Sequence, residues 1–107
     1  MSLIYKLELY VPRTHTDLVL RGIFNTGAGK IGNYDQCCFI VEGIGQFRPL
    51  VGSTPSIGKE NILEKVKEDK IELVIADELV KKVRLAITIY HPYETPAYQL
   101  FKVSDIF

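Results

Sequence analysis

The sequence contains neither a long apolar run nor an excess of one charge. No stretch of about 18 apolar residues occurs, so we expect no membrane-spanning helix. The 13 basic residues are balanced by 13 acidic residues, whereas nucleic-acid-binding proteins usually show a basic excess or a basic patch. We therefore expect a protein that binds neither membranes nor nucleic acid.

Cysteine is scarce, and the two that are present, Cys37 and Cys38, are adjacent. Neighbouring residues of a strand point to opposite faces, so these thiols are poorly placed to form a disulfide with each other. Adjacent cysteines also match no zinc-ligand spacing without further ligands. The simplest interpretation is a pair of small thiols in a reducing compartment. Because the first residues lack the pattern of a signal peptide, we expect a cytoplasmic protein.

Length and composition predict a single domain over residues 1–107. A hydrophobic fraction of 47% is sufficient for a core in a chain of 107 residues. Period-two and helical apolar patterns then predict four strands and two helices. In order, they are a strand at 3–11, a helix from about 14 to 27, a strand at 34–43, a strand within 62–76, a helix at 77–90 and a strand at 98–103.

A few residues mark the expected boundaries of these elements. Thr14 begins a pattern that resembles a capping box at the start of the first helix, and Gly27 is placed to close that helix. Asp77 is the expected N-cap of the second helix. Residues 43–49 are expected to bend the chain through a bulge. The charged segment 64–70 is compatible with either strand or loop.

The β-α-β-β-α-β order predicts an α+β fold of the ferredoxin-like kind, with an antiparallel sheet and both helices on one face. The other face of such a sheet is normally polar, but Ile4, Tyr10, Cys38 and Ile40 are expected on it. This much apolar surface favours a second sheet packed against it, supplied by another copy of the chain. The alternative is that loop 50–58 covers these residues.

The segment 27–32, Gly-Ala-Gly-Lys-Ile-Gly, matches the pattern G-x-G-x-x-G. A dinucleotide site requires those glycines between a strand and the helix that follows it. Here they follow a helix and precede a strand, so we reject that interpretation. Two others remain. The glycines cap the helix and shape a tight connection, or their N–H groups form an anion site together with Lys30.

Residues 91–98, His-Pro-Tyr-Glu-Thr-Pro-Ala-Tyr, form the most distinctive segment of the sequence. Pro92 and Pro96 predict a rigid corner between the second helix and the last strand. His91 and Glu94 are candidates for metal ligands or for an acid–base pair, although Pro92 prevents a helical i, i+3 alignment of the two. The alternative is that the His91 ring hydrogen-bonds backbone groups at the end of the helix.

Several of these segments resemble the domain inserted in bacterial Nif-three-like proteins of the YqfO type. The resemblance is carried by residues 27–39, Phe47-Arg48-Pro49-Leu50, Gly52, Pro55, Ile57-Gly58 and residues 91–98. The corner at 91–94 also resembles the divalent-cation-tolerance protein CutA and, at the level of the fold, PII signalling proteins. The resemblance implies a CutA/PII-like domain that trimerises through its sheets. It implies no metal site, cofactor or GTP-cyclohydrolase activity, because the metal ligands of Nif-three-like proteins belong to the flanking main domain.

We therefore expect a non-catalytic binding or regulatory module that forms a homo-oligomer, with a trimer implied by the resemblance. A small molecule or an anion would bind in clefts between subunits. The candidate ligand-binding residues are Gly29, Lys30, Asn33, Tyr34, His91, Tyr93 and Glu94. Two alternatives stay open: a divalent-metal protein of the CutA type, and a small enzyme with His91 as general acid or base beside Glu94. A separate Nif-three-like core protein is a further candidate partner.

Overall fold

The computed structural model describes residues 3–104. Its elements are β1 (Ile4–Pro12), α1 (Thr16–Phe24), β2 (Phe39–Phe47), β3 (Glu64–Ala76), α2 (Val80–Tyr90) and β4 (Tyr98–Val103). Short 3-10 turns, Arg13–His15 and Asp77–Leu79, lead into the two helices. This order matches the predicted one. Neither helix in this part of the chain has the length and apolar content that crossing a bilayer requires.

The four strands form one antiparallel sheet in the order β2-β3-β1-β4. β1 is central, because Leu7 pairs with Leu73 of β3 on one side and with Leu100 of β4 on the other. Side chains alternate between the two faces of a strand, and Leu7, Leu9 and Val11 are fully buried. They form one core with the buried residues of both helices. Both helices therefore cover the same face, as the ferredoxin-like prediction requires.

The two helices pack closely where α2 ends. Ile23 of α1 and Ile87 of α2 are buried in the shared core, and each fully buried side chain of this size contributes about 1.5–3 kcal/mol. The ring of Tyr90 lies directly against Gly22, at a place where any Cβ would overlap it. Glycine inside a helix costs about 1 kcal/mol relative to alanine. The close contact with Tyr90 explains why a glycine stands there.

Both helices begin later than the capping patterns predicted. The Thr14 hydroxyl lies 2.8 Å from Nδ1 of His15 and caps no helix. Instead, Thr16 at the start of α1 donates its hydroxyl to Oδ2 of buried Asp69 at 2.6 Å. Asp77 likewise makes no capping hydrogen bond. For α1, the bond from Thr16 to a buried carboxylate of β3 anchors the start of the helix to the sheet.

β2 is shifted along the chain from its predicted position at 34–43. It begins late because Ile31 and Tyr34 exchange two backbone hydrogen bonds, of 2.9 and 3.0 Å, around a two-residue turn. Gly32 has φ +57° in that turn, a conformation that favours glycine. β2 ends late because residues 43–47 stay paired with β3 and form no bend. The charged segment 64–70 is consequently strand.

One end of the sheet extends as a two-stranded ribbon. The pairing of β1 with β3 ends at Pro12 and Glu68, so residues 44–47 and 64–67 pair only with each other. We call these two segments the arm. The described chain measures 47 × 24 × 23 Å, and Ile44 in the arm is 74% exposed. An isolated two-stranded ribbon is at best marginally stable in water, and the base of this one is supported by Phe47, whose ring packs edge-on against Tyr93.

We call the sheet face opposite the helices the open face. The residues that lie on it differ in part from those that were predicted. Cys38 and Ile40 lie on the helix side, because Ile40 pairs with core residue Ile71. Burial raises the pKa of the Cys38 thiol. Strand alternation instead puts Phe39 and Val41 on the open face. The prediction chose the wrong parity because residues 37–41 are apolar at every position.

Four charged side chains occupy the centre of the open face. The ammonium of Lys6 lies 3.2 Å from Glu8 and 3.3 Å from Glu72, and the ammonium of Lys70 lies 3.2 Å from Glu72. Hydrogen bonds from Lys70 and Lys6 lower the pKa of the Glu72 carboxyl. The centre of the open face is therefore electrically neutral and internally paired.

Apolar side chains flank this charged centre on both edge strands. Phe39 and Val41 of β2 are 64% and 46% exposed, and Phe101 of β4 is 47% exposed. The loop after β2 shares a pocket with Tyr10 but leaves these three side chains open to solvent. The alternative prediction, that this loop covers the apolar residues of the open face, is therefore wrong for these three residues.

A pocket at the proline corner

His91 links the end of α2 to the central strand. Its backbone is extended, with φ −72° and ψ 132°, which ends the helix before Pro92. The side chain is 6% exposed, and Nε2 lies 2.7 Å from the carbonyl oxygen of Tyr10. The backbone N–H of Tyr93 donates to Nδ1 at 3.1 Å. Because a carbonyl only accepts, these partners assign the proton to Nε2 and the lone pair to Nδ1.

The environment of His91 favours the neutral ring. Burial lowers its pKa from the usual 6.5, and the Tyr10 carbonyl and Glu68 offset only part of that effect. Protonation of Nδ1 would also break the hydrogen bond from Tyr93. Both ring nitrogens are therefore engaged by backbone groups, as the structural interpretation of His91 expected.

This arrangement predicts a pH-dependent stability. The folded pKa of His91 is depressed, so the unfolded chain takes up the proton first as the pH falls below 6.5. The stability supplied by the neutral ring is present above that pH and is lost toward the folded pKa, by at most about 1.4 kcal/mol per pH unit. Urea unfolding between pH 7.5 and 5.0 measures it. A His91→Gln variant should show a flatter profile, and identical profiles would contradict the assignment.

Glu68 and Tyr93 form a second contact between the corner and the sheet. The Tyr93 hydroxyl donates to Oε2 of Glu68 at 2.7 Å, and the Tyr93 ring meets Phe47 edge-on with centroids 5.5 Å apart. Burial and Glu68 raise the pKa of Tyr93 far above its usual value, so it remains a donor. The Glu68 carboxylate lies against Gly45, at a place where any Cβ would overlap it. Glycine at that position makes room for the carboxylate.

Glu94 connects the corner to the long loop between β2 and β3. Its two carboxylate oxygens accept from the backbone N–H of Thr54 at 2.9 and 3.2 Å. The loop is closed on itself, because the N–H of Asn61 donates to the Pro49 carbonyl at 2.6 Å. The Glu94 side chain thus holds the loop beside the corner, across a sequence separation of 40 residues.

A pocket of about 270 Å³ lies between the corner, the loop and the sheet. Its lining residues are Tyr10, Gln46, Phe47, Pro49, Ser53, Pro55, Ser56, Ile57, Glu68, Tyr93, Glu94, Thr95 and Ala97. Tyr10 and Glu68 belong to the open face by strand alternation. The pocket therefore sits where the open face meets the base of the arm. A cavity with apolar walls and a few convergent polar groups is the usual form of a small-molecule site.

The structure brings together only part of the predicted ligand site. Tyr93 and Glu94 line the pocket, and His91 stands behind it as a support. Gly29 lies at the other end of the sheet, where its N–H donates to the Val74 carbonyl at 2.9 Å. Val74 pairs with Lys6 of β1, about 13 Å along that strand from Tyr10.

The glycine segment uses its backbone for local structure. The N–H groups of Gly27, Ala28, Gly29 and Ile31 all have acceptors within the chain. Lys30, Asn33 and Tyr34 are exposed. These bonds favour the interpretation of residues 27–32 as a helix end and a tight connection rather than an anion site.

The sheet residues of the pocket, above all Glu68, Tyr10 and Phe47, were not among the predicted site residues. A signal for Glu68 was present in Gly43 and Gly45, which are two positions apart and therefore share one strand face. Glycines on one face leave room for a group of the neighbouring strand to lie across them. Among residues 3–104, no group of three His, Cys, Asp or Glu side chains is placed to hold a metal ion.

The chain matches no protein-family model, but it is similar to several known proteins. It is 45% identical over 102 residues to a GTP cyclohydrolase 1 type 2 homolog of Halalkalibacterium halodurans, covering 95% of this chain and 27% of the relative. The Bacillus subtilis homolog of the same name is 43% identical over 100 residues, again covering 27% of the relative. The chain thus spans about a quarter of the length of these proteins.

The fold of this chain is also similar to those of solved structures. The Bacillus cereus protein related to NIF3 superposes with a TM-score of 0.83 at 36% identity, over 97% of this chain and 26% of that one. CutA of Archaeoglobus fulgidus superposes with a TM-score of 0.69 at 14% identity, over 97% of this chain and 87% of that one. The predicted resemblance is confirmed: the chain is homologous to a domain-sized part of the NIF3-related proteins and has the fold of the CutA proteins.

Proposed function

We propose that this chain is a non-catalytic, homo-oligomeric binding module, and that its ligand site is the pocket at the proline corner. The observation that carries the proposal is the pocket itself, which three separate segments of the chain build. Glu94 attaches the loop, Tyr93 reaches Glu68 on the sheet, and His91 fixes the corner. These bonds form the pocket in advance of any ligand, and such preorganisation favours binding.

The state of His91 supports binding over catalysis. A general acid or base must exchange a proton with a substrate within hydrogen-bond reach. The ring of His91 is 6% exposed and has both nitrogens bonded to backbone groups. Glu94 is bonded to Thr54 and makes no hydrogen bond to His91 among the described residues. The pair is therefore better suited to building the pocket than to acid–base chemistry.

The open face supports the oligomeric part of the proposal. Its charged centre is paired within the chain, while Phe39, Val41 and Phe101 remain exposed around it. A surface of this kind can be buried without leaving unpaired charges, and burial removes apolar area from water. A second copy of the chain is the simplest partner, and the CutA-like fold makes a trimer the assembly that we favour.

We do not transfer the activity named in the relatives' description to this chain, because the chain spans only about a quarter of their length. The described lining of the pocket includes two carboxylates and no lysine or arginine, whereas a nucleoside triphosphate requires cationic groups or free backbone N–H groups. We therefore propose no GTP chemistry at this site.

A ligand screen with a blocked pocket tests the proposal. A ligand at 100 times its Kd stabilises a protein by about 2.7 kcal/mol, which raises the Tm of a domain of this size by roughly 10 °C. Compounds from a mixed library that raise the Tm of the wild type should lose this effect in Ser56→Trp, because Ser56 is an exposed lining residue. Lys82→Trp, on the exposed surface of α2, is the matched control. Equal responses of both variants would contradict the assigned site.

A further inference from the structure

We propose that the pocket at the proline corner binds a small organic cation, in which an ammonium or guanidinium head is joined to an apolar body. This inference rests on the proposed function and adds the chemical class of the ligand. It follows from the charge of the lining, the orientation of its carboxylates, the aromatic walls and the volume.

The charge of the lining is one-sided. Glu68 and Glu94 line the pocket, and no lysine, arginine or histidine of the described chain does so. The neighbouring lysines of β3, Lys65 and Lys67, lie on the opposite strand face from Glu68. Lys70 shares the face of Glu68, but its ammonium is held by Glu72 at 3.2 Å. Neither pocket carboxylate forms an ion pair within residues 3–104.

The Glu68 carboxylate is oriented and only partly used. Its Oε2 accepts one hydrogen bond from the Tyr93 hydroxyl at 2.7 Å. An ionised carboxylate has about four acceptor positions, so capacity remains for a donor from a ligand. Gly45 lies directly beneath the group, and the carboxylate could not occupy this place above any larger residue. A cationic N–H donor is the partner that gives the strongest hydrogen bond to such a group.

The remaining walls suit the body of an organic cation better than a bare metal ion. The rings of Tyr10, Phe47 and Tyr93 line the pocket, and aromatic faces attract ammonium and guanidinium groups. Pro55 and Ile57 add apolar surface from the loop. The volume of about 270 Å³ lies just below the range of ligand pockets for drug-sized molecules, about 300–1,000 Å³. A small molecule with a short apolar stem fits this space.

The test uses three probes of one length that differ only in the head group. These are n-pentylamine, 1-pentanol and pentanoate, titrated at pH 7.5 into the isotopically labelled 107-residue chain while NMR signals of Thr54, Tyr93 and Glu94 are followed. We expect n-pentylamine to shift these signals and to bind at least about tenfold more tightly than 1-pentanol, since each lost charge-assisted hydrogen bond corresponds to about that factor. Pentanoate should not saturate the site.

An isosteric variant and a control assign the charge effect. Glu68→Gln should weaken n-pentylamine binding about tenfold and change 1-pentanol binding less than about twofold. Glu78→Gln removes one negative charge from an exposed side chain in the turn Asp77–Leu79 before α2. It should change neither the n-pentylamine affinity nor the 1-pentanol affinity.

The outcomes separate this inference from the proposed function. If pentanoate or 1-pentanol binds as tightly as n-pentylamine, or if Glu68→Gln leaves the amine affinity unchanged, the ligand class is wrong although the pocket binds ligands. If no probe shifts the pocket signals while the library screen finds a ligand that Ser56→Trp rejects, the cation class is again wrong and the proposed function stands. Failure of that screen as well would overturn both.

Discussion

His91→Leu is expected to lower the free energy of unfolding by about 2–4 kcal/mol, because it removes the partners of two backbone groups. The Tyr10 carbonyl loses a donor at 2.7 Å and the Tyr93 N–H loses an acceptor at 3.1 Å. Both losses occur beside a side chain that is 6% exposed. Leucine fills much of the ring volume, so the effect reports the hydrogen bonds more than a cavity. Urea unfolding at pH 7.5 measures the difference.

His15→Leu is the matched control, since His15 is the only other histidine of the chain. His15 is half-buried, but its ring contacts only the hydroxyl of the neighbouring exposed residue Thr14, in an exposed hydrogen bond. Substitutions of this kind usually change stability by less than about 0.5 kcal/mol. Equal destabilisation by both leucine substitutions would mean that the two bonds of His91 do not hold the corner to β1.

Phe101→Lys is expected to convert the proposed homo-oligomer into a monomer. Phe101 lies on the open face and pairs with Lys6, so the new ammonium would enter the interface beside an existing positive charge. An unpaired buried ion costs several kcal/mol, and every copy in a symmetric assembly would carry it. Because Phe101 is 47% exposed in the single chain, the fold itself should be little affected. Light scattering gives the mass, and circular dichroism confirms the fold.

Leu85→Lys provides the matched control on the other side of the molecule. Leu85 is an exposed apolar residue of α2, 61% accessible, so the change in charge and size is comparable. This variant should keep the wild-type mass. Dissociation by Leu85→Lys with an intact Phe101→Lys assembly would move the interface from the open face to the helices.

The elements with one clear periodicity could be predicted from the sequence. β1 alternates strictly between core residues such as Leu7 and Leu9 and outer residues such as Lys6 and Glu8, so its position and its inward face were predicted correctly. The corner at 91–98 was also predicted as a rigid end of α2, because proline restricts its own backbone and that of the preceding residue.

The bounds and inward face of β2, and the contacts that assemble the pocket, could not be predicted because their determinants are not local. Residues 37–41 are apolar at both parities, so only the pairing of Ile40 with Ile71 decides which face is inward. Glu68 and Glu94 find partners in Tyr93 and Thr54, 25 and 40 residues away. The predicted start of α1 was wrong for the same reason, because Thr16 bonds to the buried carboxylate of Asp69 on another element.

The mass of the wild-type chain at micromolar concentration shows whether a second copy covers the open face, where Phe39, Val41 and Phe101 are exposed in the single chain. Light scattering should give a multiple of 12.1 kDa, and for the trimer that we favour, three times that value. A mass of 12.1 kDa across the micromolar range would contradict the account, because the open face and the arm would then stand without a partner.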